Sequence, residues 1–164
     1  MAITYGTHIT NFDATPPLAV NSRLHGGYLK GAVDTFELAD TANADSHIVF
    51  KLPVDAVLFS VKMAADDLGS AGTVDIGFHT KGADGVYAAV DVDAIASAIN
   101  VNSAATGLTE YRFEAAAIET ANQTAWELAG LAARPAYGDI YVSISTPAGT
   151  TAVGTVTLQI QYAE

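Results

Sequence analysis

Four stretches of this chain alternate apolar and polar residues with a period of two, and that period limits the fold more than any other feature. Thr73–His79 places Val74, Ile76 and Phe78 on one face and Thr73, Asp75 and His79 on the other. Asp139–Ser145 does the same with Ile140, Val142 and Ile144 against Tyr141, Ser143 and Ser145. Thr155–Tyr162 sets Val156, Leu158, Ile160 and Tyr162 against Thr155, Thr157, Gln159 and Gln161. Ser46–Leu52 sets Ile48, Phe50 and Leu52 opposite His47, Val49 and Lys51. Side chains of a strand alternate sides, so each stretch reads as a half-buried strand. Val33–Leu38, Val57–Met63, Val86–Val90 and Glu110–Ala115 are further candidates, which brings the total to about eight, a usual number for a β-sandwich.

Turn-forming residues separate these runs at Leu68–Gly72, Lys81–Gly85 and Thr146–Thr150. The last joins two strands of similar length and reads as a final hairpin. Two short helices are expected. Thr124 and Glu127 have capping-box spacing, which starts a helix near Ala125 that runs to about Leu131. Asp91 or Asp93 is placed to cap a second over Ala94–Ile99, where Ile95 and Ile99 share a face at i, i+4. The expected fold is all-β: an antiparallel jelly-roll-like β-sandwich over residues 33–164 with one or two short helices.

Residues 1–32 do not fit that pattern. Asn11–Gly31 contains adjacent prolines at 16 and 17, a glycine pair at 26 and 27, and no sustained apolar period. It reads as an extended N-terminal arm that something outside its own domain must order. The chain carries a formal net charge of −11, which argues against nucleic acid as a direct partner, since phosphate binding needs clustered Lys and Arg. The arm holds one acid, Asp13, against Arg23 and Lys30, so the acidity belongs to the body. Charged residues are only 15% of the chain and apolar ones 50%. That low charge density points to a covered face, either between copies or against a partner.

No membrane span and no secretion signal are expected, because no apolar run has the length and the first residues lack a basic and then apolar region. Cysteine is absent, which removes disulfides and thiolate metal sites. The four histidines, His8, His25, His47 and His79, have no ligand spacing, and His79 is expected to be a solvated strand residue. Asp84, Asp91 and Asp93 flank a glycine-rich turn at a spacing that suits calcium, but no loop pattern supports that, and turn-forming and capping roles are the expectation. Asp66 and Asp67 read as a polar loop. Asn122-Gln-Thr124 matches a glycosylation sequon, read as chance. Trp126 is expected in the core, and Tyr137 and Tyr141 are the aromatics placed to stack a sugar. No nucleophile elbow, phosphate loop or acid pair appears. The expectation is no catalytic residue, no metal and no cofactor.

The chain resembles small structural proteins of tailed bacteriophages. The stretches that carry the resemblance are Tyr5–Asn11, Arg23–Gly27, Ala71–Phe78, Asp91–Ile99, Trp126–Leu131 and Gly154–Tyr162, and those of this size resemble capsid cement or decoration proteins. The resemblance implies a jelly-roll body, a homotrimer, and a place on the outer surface of the virion with the major capsid (coat) protein as partner. The expected docking surface is the arm with the outer face of the early strands, and Tyr5, Arg23, His25, Tyr28 and Lys30 are its contacts. The alternative is a receptor- or carbohydrate-binding module of a head fibre or tail appendage, since jelly rolls also host sugar sites.

Overall fold

The computed structural model describes residues 28–38, 45–69, 72–102, 106–114, 117–135, 139–147 and 150–164. Within them run β1 (Leu29–Leu38), β2 (Asp45–Pro53), β3 (Val57–Ala65), β4 (Thr73–Lys81), β5 (Tyr87–Asn100) and β6 (Thr106–Glu110). A 3-10 helix (Ile118–Asn122) and a one-turn helix α1 (Ala125–Leu128) follow, then β7 (Asp139–Thr146) and β8 (Gly154–Ala163). The strands form two four-stranded sheets, β1-β8-β3-β6 and β2-β7-β4-β5. Every ladder is antiparallel. Successive strands change sheet at every step except the β4–β5 hairpin, and this winding is the eight-stranded jelly roll.

The core lies where the alternation places it. Val74, Ile76 and Phe78 of β4, Ile140, Val142 and Ile144 of β7, and Val156, Leu158 and Ile160 of β8 are all buried between the sheets. Each of these three strands presents one apolar face, and the two sheets remove those faces from water together.

Four details differ from the expectation, each for a local reason. The segment from Thr146 to Gly154 is not a hairpin, because β7 and β8 belong to different sheets. The segment Ala94–Ile99 is strand, paired to β4 through Ile76–Ala96 and Val74–Ile99. Spacing of i, i+4 satisfies a period of two as well as 3.6, so it could not distinguish strand from helix. β6 ends at Glu110, where a strand was expected to begin. The Glu110 carboxylate accepts the Arg112 amide at 3.0 Å and the Val61 amide at 2.8 Å, which turns the chain out of the ladder. Finally, β2 changes register between Ile48 and Phe50. The bulge reverses the faces before it, so His47 pairs with inward Ile144 and Ile48 with outward Ser143.

α1 begins as expected, with Glu127 Oε2 accepting the Thr124 amide at 2.8 Å and its hydroxyl at 2.7 Å. The helix is pinned to the β2–β3 turn by Ala125 N to Ala56 O at 2.7 Å and Trp126 N to Val54 O at 3.2 Å. Trp126 packs against the core.

Gly77 marks where β5 crosses β4. The register advances two residues on β4, from Ile76 to Phe78, while β5 goes from Ala96 to Asp91. A Cβ at Gly77 would stand 2.2 Å from the Asp91 carbonyl oxygen and 2.3 Å from the Val92 carbonyl carbon. Both are backbone atoms that cannot rotate away. Gly77→Ala is therefore expected to destabilise the fold by about 1–3 kcal/mol, read as a lower midpoint of denaturant unfolding. An unchanged midpoint would show that β5 can lift off β4 at no cost.

Candidate docking surface

The outer face of the β1-β8-β3-β6 sheet follows from register. Val33 lies opposite Gln159, and Thr35 opposite Thr157. On the other side of β8, Gln161 lies opposite Ser60, Gln159 opposite Lys62 and Thr157 opposite Ala64. Thr35 and Thr157 join hydroxyls at 2.9 Å. Glu110 is exposed and opposes Lys62 across the β3–β6 pair, its carboxylate accepting from the Val61 and Arg112 amides and the Ser60 hydroxyl. Lys62 and Glu110 offset each other across the face, and Glu37 stands at its β1 end opposite Thr155. A flat, nearly neutral field of Thr, Gln, Ser, Ala and Val thus lies on a chain of net charge −11. Such a surface carries few ions to strip on desolvation, although its glutamines and Lys62 lose rotamer freedom when covered.

The residues expected to dock fall in three places. Tyr5, Arg23 and His25 lie outside the described residues. Tyr28 stands immediately before β1 and is 85% exposed. Lys30 is in β1 opposite Tyr162, so it projects on the inner side of the sheet at its open edge rather than with the Thr and Gln side chains. It pairs with Glu164, and that bond raises the ammonium pKa. β1 begins at Leu29, with Leu29–Ala32 paired to Ala163–Ile160.

At that open edge β1 and β2 diverge around a cleft of about 390 Å³ lined by Asp34, Phe36, His47 and their neighbours. Phe36 and His47 stack there, centroids 6.1 Å apart and 23° from parallel. The His47 Nε2 is buried with no hydrogen-bond partner among the described residues. The β2 bulge put this imidazole inside, where alternation alone had placed it outside.

The acids flanking the glycine turns bond to backbone. Asp84 Oδ1 accepts the Val86 amide at 3.0 Å, and Asp67 Oδ1 accepts the Gly69 amide at 2.8 Å. Asp91 Oδ1 lies 3.4 Å from the Asp93 amide. These are Asx turns; since Ala94–Ile99 is strand, Asp91 and Asp93 cap no helix. Tyr137 lies outside the described residues, and Tyr141 meets Tyr87 edge-on at 5.0 Å on the outer face of the second sheet.

His79, expected in solvent, faces outward but is only 5% exposed. Its Nδ1 lies 2.9 Å from Ser143 Oγ, and burial lowers its pKa below the usual histidine value. Above the unfolded-state pKa near 6.5, both states carry a neutral ring and the residue adds no pH dependence. As pH falls below that, the unfolded chain binds the proton first, so stability drops until the folded pKa is passed. The melting temperature is expected to fall from pH 6.5 toward pH 5, and His79→Gln to flatten that slope. An unchanged slope in the variant would assign the acid sensitivity elsewhere. Asp75 acts in the opposite sense: burial raises its pKa, so acid favours its folded form.

One buried residue went unmarked in the sequence reading. Arg112 has no solvent exposure. Its Nε donates to Leu58 O at 3.0 Å and its Nη2 to Thr120 O at 3.1 Å. The guanidinium lies 4.7 Å from the centre of the Phe113 ring. It ties β3 to the 3-10 helix and fixes one rim of the neutral sheet.

No known family model matches the chain, and no curated protein matches it. Among solved structures, a chain from the capsid of Ralstonia phage GP4 superposes with a TM-score of 0.55 at 18% identity, over 82% of this chain and 84% of that one. The fold is shared with a phage capsid chain. A chain from the capsid asymmetric unit of cyanophage Pam1 aligns at 20% identity with a TM-score of 0.49, over 89% of this chain and 91% of that one. At such identities the likeness is one of architecture, and the neutral face and open β1 edge are properties of this chain's own residues.

Proposed function

We propose that this chain is a structural protein of a phage virion, a cement or decoration protein that binds the outer surface of the coat-protein shell. The observation that carries the reading is the nearly neutral Thr/Gln sheet face on an otherwise acidic body. A surface with little net charge is one that another protein can approach closely, while the acidic remainder keeps the exposed side soluble. The shared architecture with a phage capsid chain supports the same reading. Residues 1–27 act as the arm, with Tyr5, Arg23 and His25 contacting coat subunits and Tyr28 and Lys30 at its root. Stabilisation is a linkage effect: a protein that binds the mature shell and not its disassembled subunits shifts the equilibrium toward the shell. The role needs no catalytic residue, metal or cofactor, and neither nucleic acid nor membrane.

The test is co-sedimentation with phage heads that lack the protein. Saturation at a fixed number of copies per coat subunit, with heads that then resist heat better, is the expected result. If nothing sediments with heads, the reading fails, and the Tyr87–Tyr141 pair, with Lys81 Nζ 4.9 Å from the Tyr87 ring centre, becomes the place to look for a glycan-binding appendage.

A further inference from the structure

The sandwich has four edge strands, and three of them are broken in the ways that discourage further pairing. β2, β5 and β6 each change register against their neighbour, and such bulges twist an edge away from a new strand. β1 does not. Its ten residues pair with β8 from Leu29–Ala163 to Leu38–Gly154 without a shift, and it contains no proline. Most of the strand is exposed, including Leu29 and Val33, the latter at 66%. A long, regular edge that no described residue pairs with is a template for one more strand.

The sequence of β1 selects the occupant. Two copies meeting antiparallel about a two-fold axis perpendicular to the sheet must pair residues of the same face, because the axis preserves faces. Centring the axis on Lys30 opposes two ammonium groups, and centring it on Asp34 opposes two carboxylates. Centring it on Val33 sets Lys30 against Phe36. Centring it on Ala32 sets Lys30 against the partner's Asp34 twice, Leu29 against Thr35, and Tyr28 against Phe36. In the free chain Lys30 bonds its own Glu164 with its side chain still 49% exposed, so its ammonium has donors left for a second carboxylate. The same register brings the partner's Tyr28 to the cleft where Phe36 stacks on His47 and where His47 Nε2 is buried without a hydrogen-bond partner among the described residues.

The geometry points to β1 as a self-recognition edge: a second copy of this chain pairs with it antiparallel, centred on Ala32, joining two four-stranded sheets into one of eight. This goes beyond shell binding and does not depend on it. A closed trimer needs a separate, heterologous surface, and β1 would then link copies of adjacent trimers.

The chain has no cysteine, so single thiols report the register without background. Opposed residues of an antiparallel pair have Cβ atoms about 4.5–5.5 Å apart, within disulfide reach after a small adjustment. Ala32→Cys in the full chain is therefore expected to give a disulfide-linked dimer under mild oxidation. Thr35→Cys, whose two copies would stand about 20 Å apart, should not. Sedimentation then tests the charges: Lys30→Asp or Asp34→Lys alone should weaken self-association about tenfold or more, and the double exchange should restore it. Circular dichroism of each variant verifies that it has folded. A chain that sediments as a monomer at every concentration overturns the proposal, as does association with no disulfide at position 32 or with a stronger one at position 35. Head binding is read separately, so its failure would leave this result standing, and the reverse.

Discussion

Arg112→Ala is expected to lower the unfolding free energy by about 2–4 kcal/mol, from the hydrogen bonds it removes and the space it empties. Two losses add in this variant. The Leu58 carbonyl would lose the donor now 3.0 Å away, while the Thr120 carbonyl keeps the Gln123 amide at 3.0 Å, and the side chain's volume would be left empty. In a chain of this size the change corresponds to a fall of about 5–15 °C in melting temperature. Arg112→Lys should not rescue it. An ammonium is a point charge, unable to reach both carbonyls with a planar fork, and it would remain buried. Arg112→Met should be the mildest of the three, since it fills space and buries no charge. Burial pushes the guanidinium pKa down, but arginine starts high enough to stay ionised at neutral pH. If the alanine variant melts with the wild type, Arg112 is not holding the 3-10 helix to β3. If lysine restores stability, charge rather than forked geometry is what the site requires.

Arg112 also shows where sequence reasoning stopped. Arginine is usually exposed, and nothing local marks this one as buried. The residue that turns it inward is Glu110, whose carboxylate bonds the backbone on both sides of the turn, and that contact exists only once β3 is in place. By contrast, the inward faces of β4, β7 and β8 could be read from the sequence, because an unbroken period of two with β-branched residues inside marks a strand, though the burial of outward His79 and Ser143 was not legible. The neutral face was legible through the same alternation, with Thr157, Gln159 and Gln161 placed outward on β8. What misled was interruption. The bulge at β2 moved His47 from the outside to the cleft, and the i, i+4 spacing of Ile95 and Ile99 in β5 is one that a helix would share. A turn-forming sequence after β7 looked like a hairpin because the sequence carries no mark of a strand leaving for the opposite sheet. The same irregularity explains why β1 stands out: among the edge strands it alone keeps an undisturbed ladder.

A chain beginning at Tyr28 is expected to fold like the whole protein yet bind heads about 100-fold more weakly or worse. The cut must fall there. Starting at Ala32, where the body's first strand was expected to follow, would delete Leu29, Lys30 and Gly31 and their pairing with Ala163, Tyr162 and Gln161. Lost binding would then be confounded with a damaged sheet and a lost Lys30–Glu164 pair. With β1 intact, circular dichroism and melting temperature should match the full chain, and any loss on heads belongs to residues 1–27. The expected size of the loss follows from linkage. An extended segment of that length spans up to about 90 Å, enough to touch coat subunits the body cannot reach, and a tethered second contact acts at a high effective concentration. Two weak contacts joined in this way multiply, so removing one leaves only the affinity of the sheet face. Equal binding by the two chains would place the whole interaction on the body and end the arm's part in the proposal. Binding by neither would remove the shell as partner.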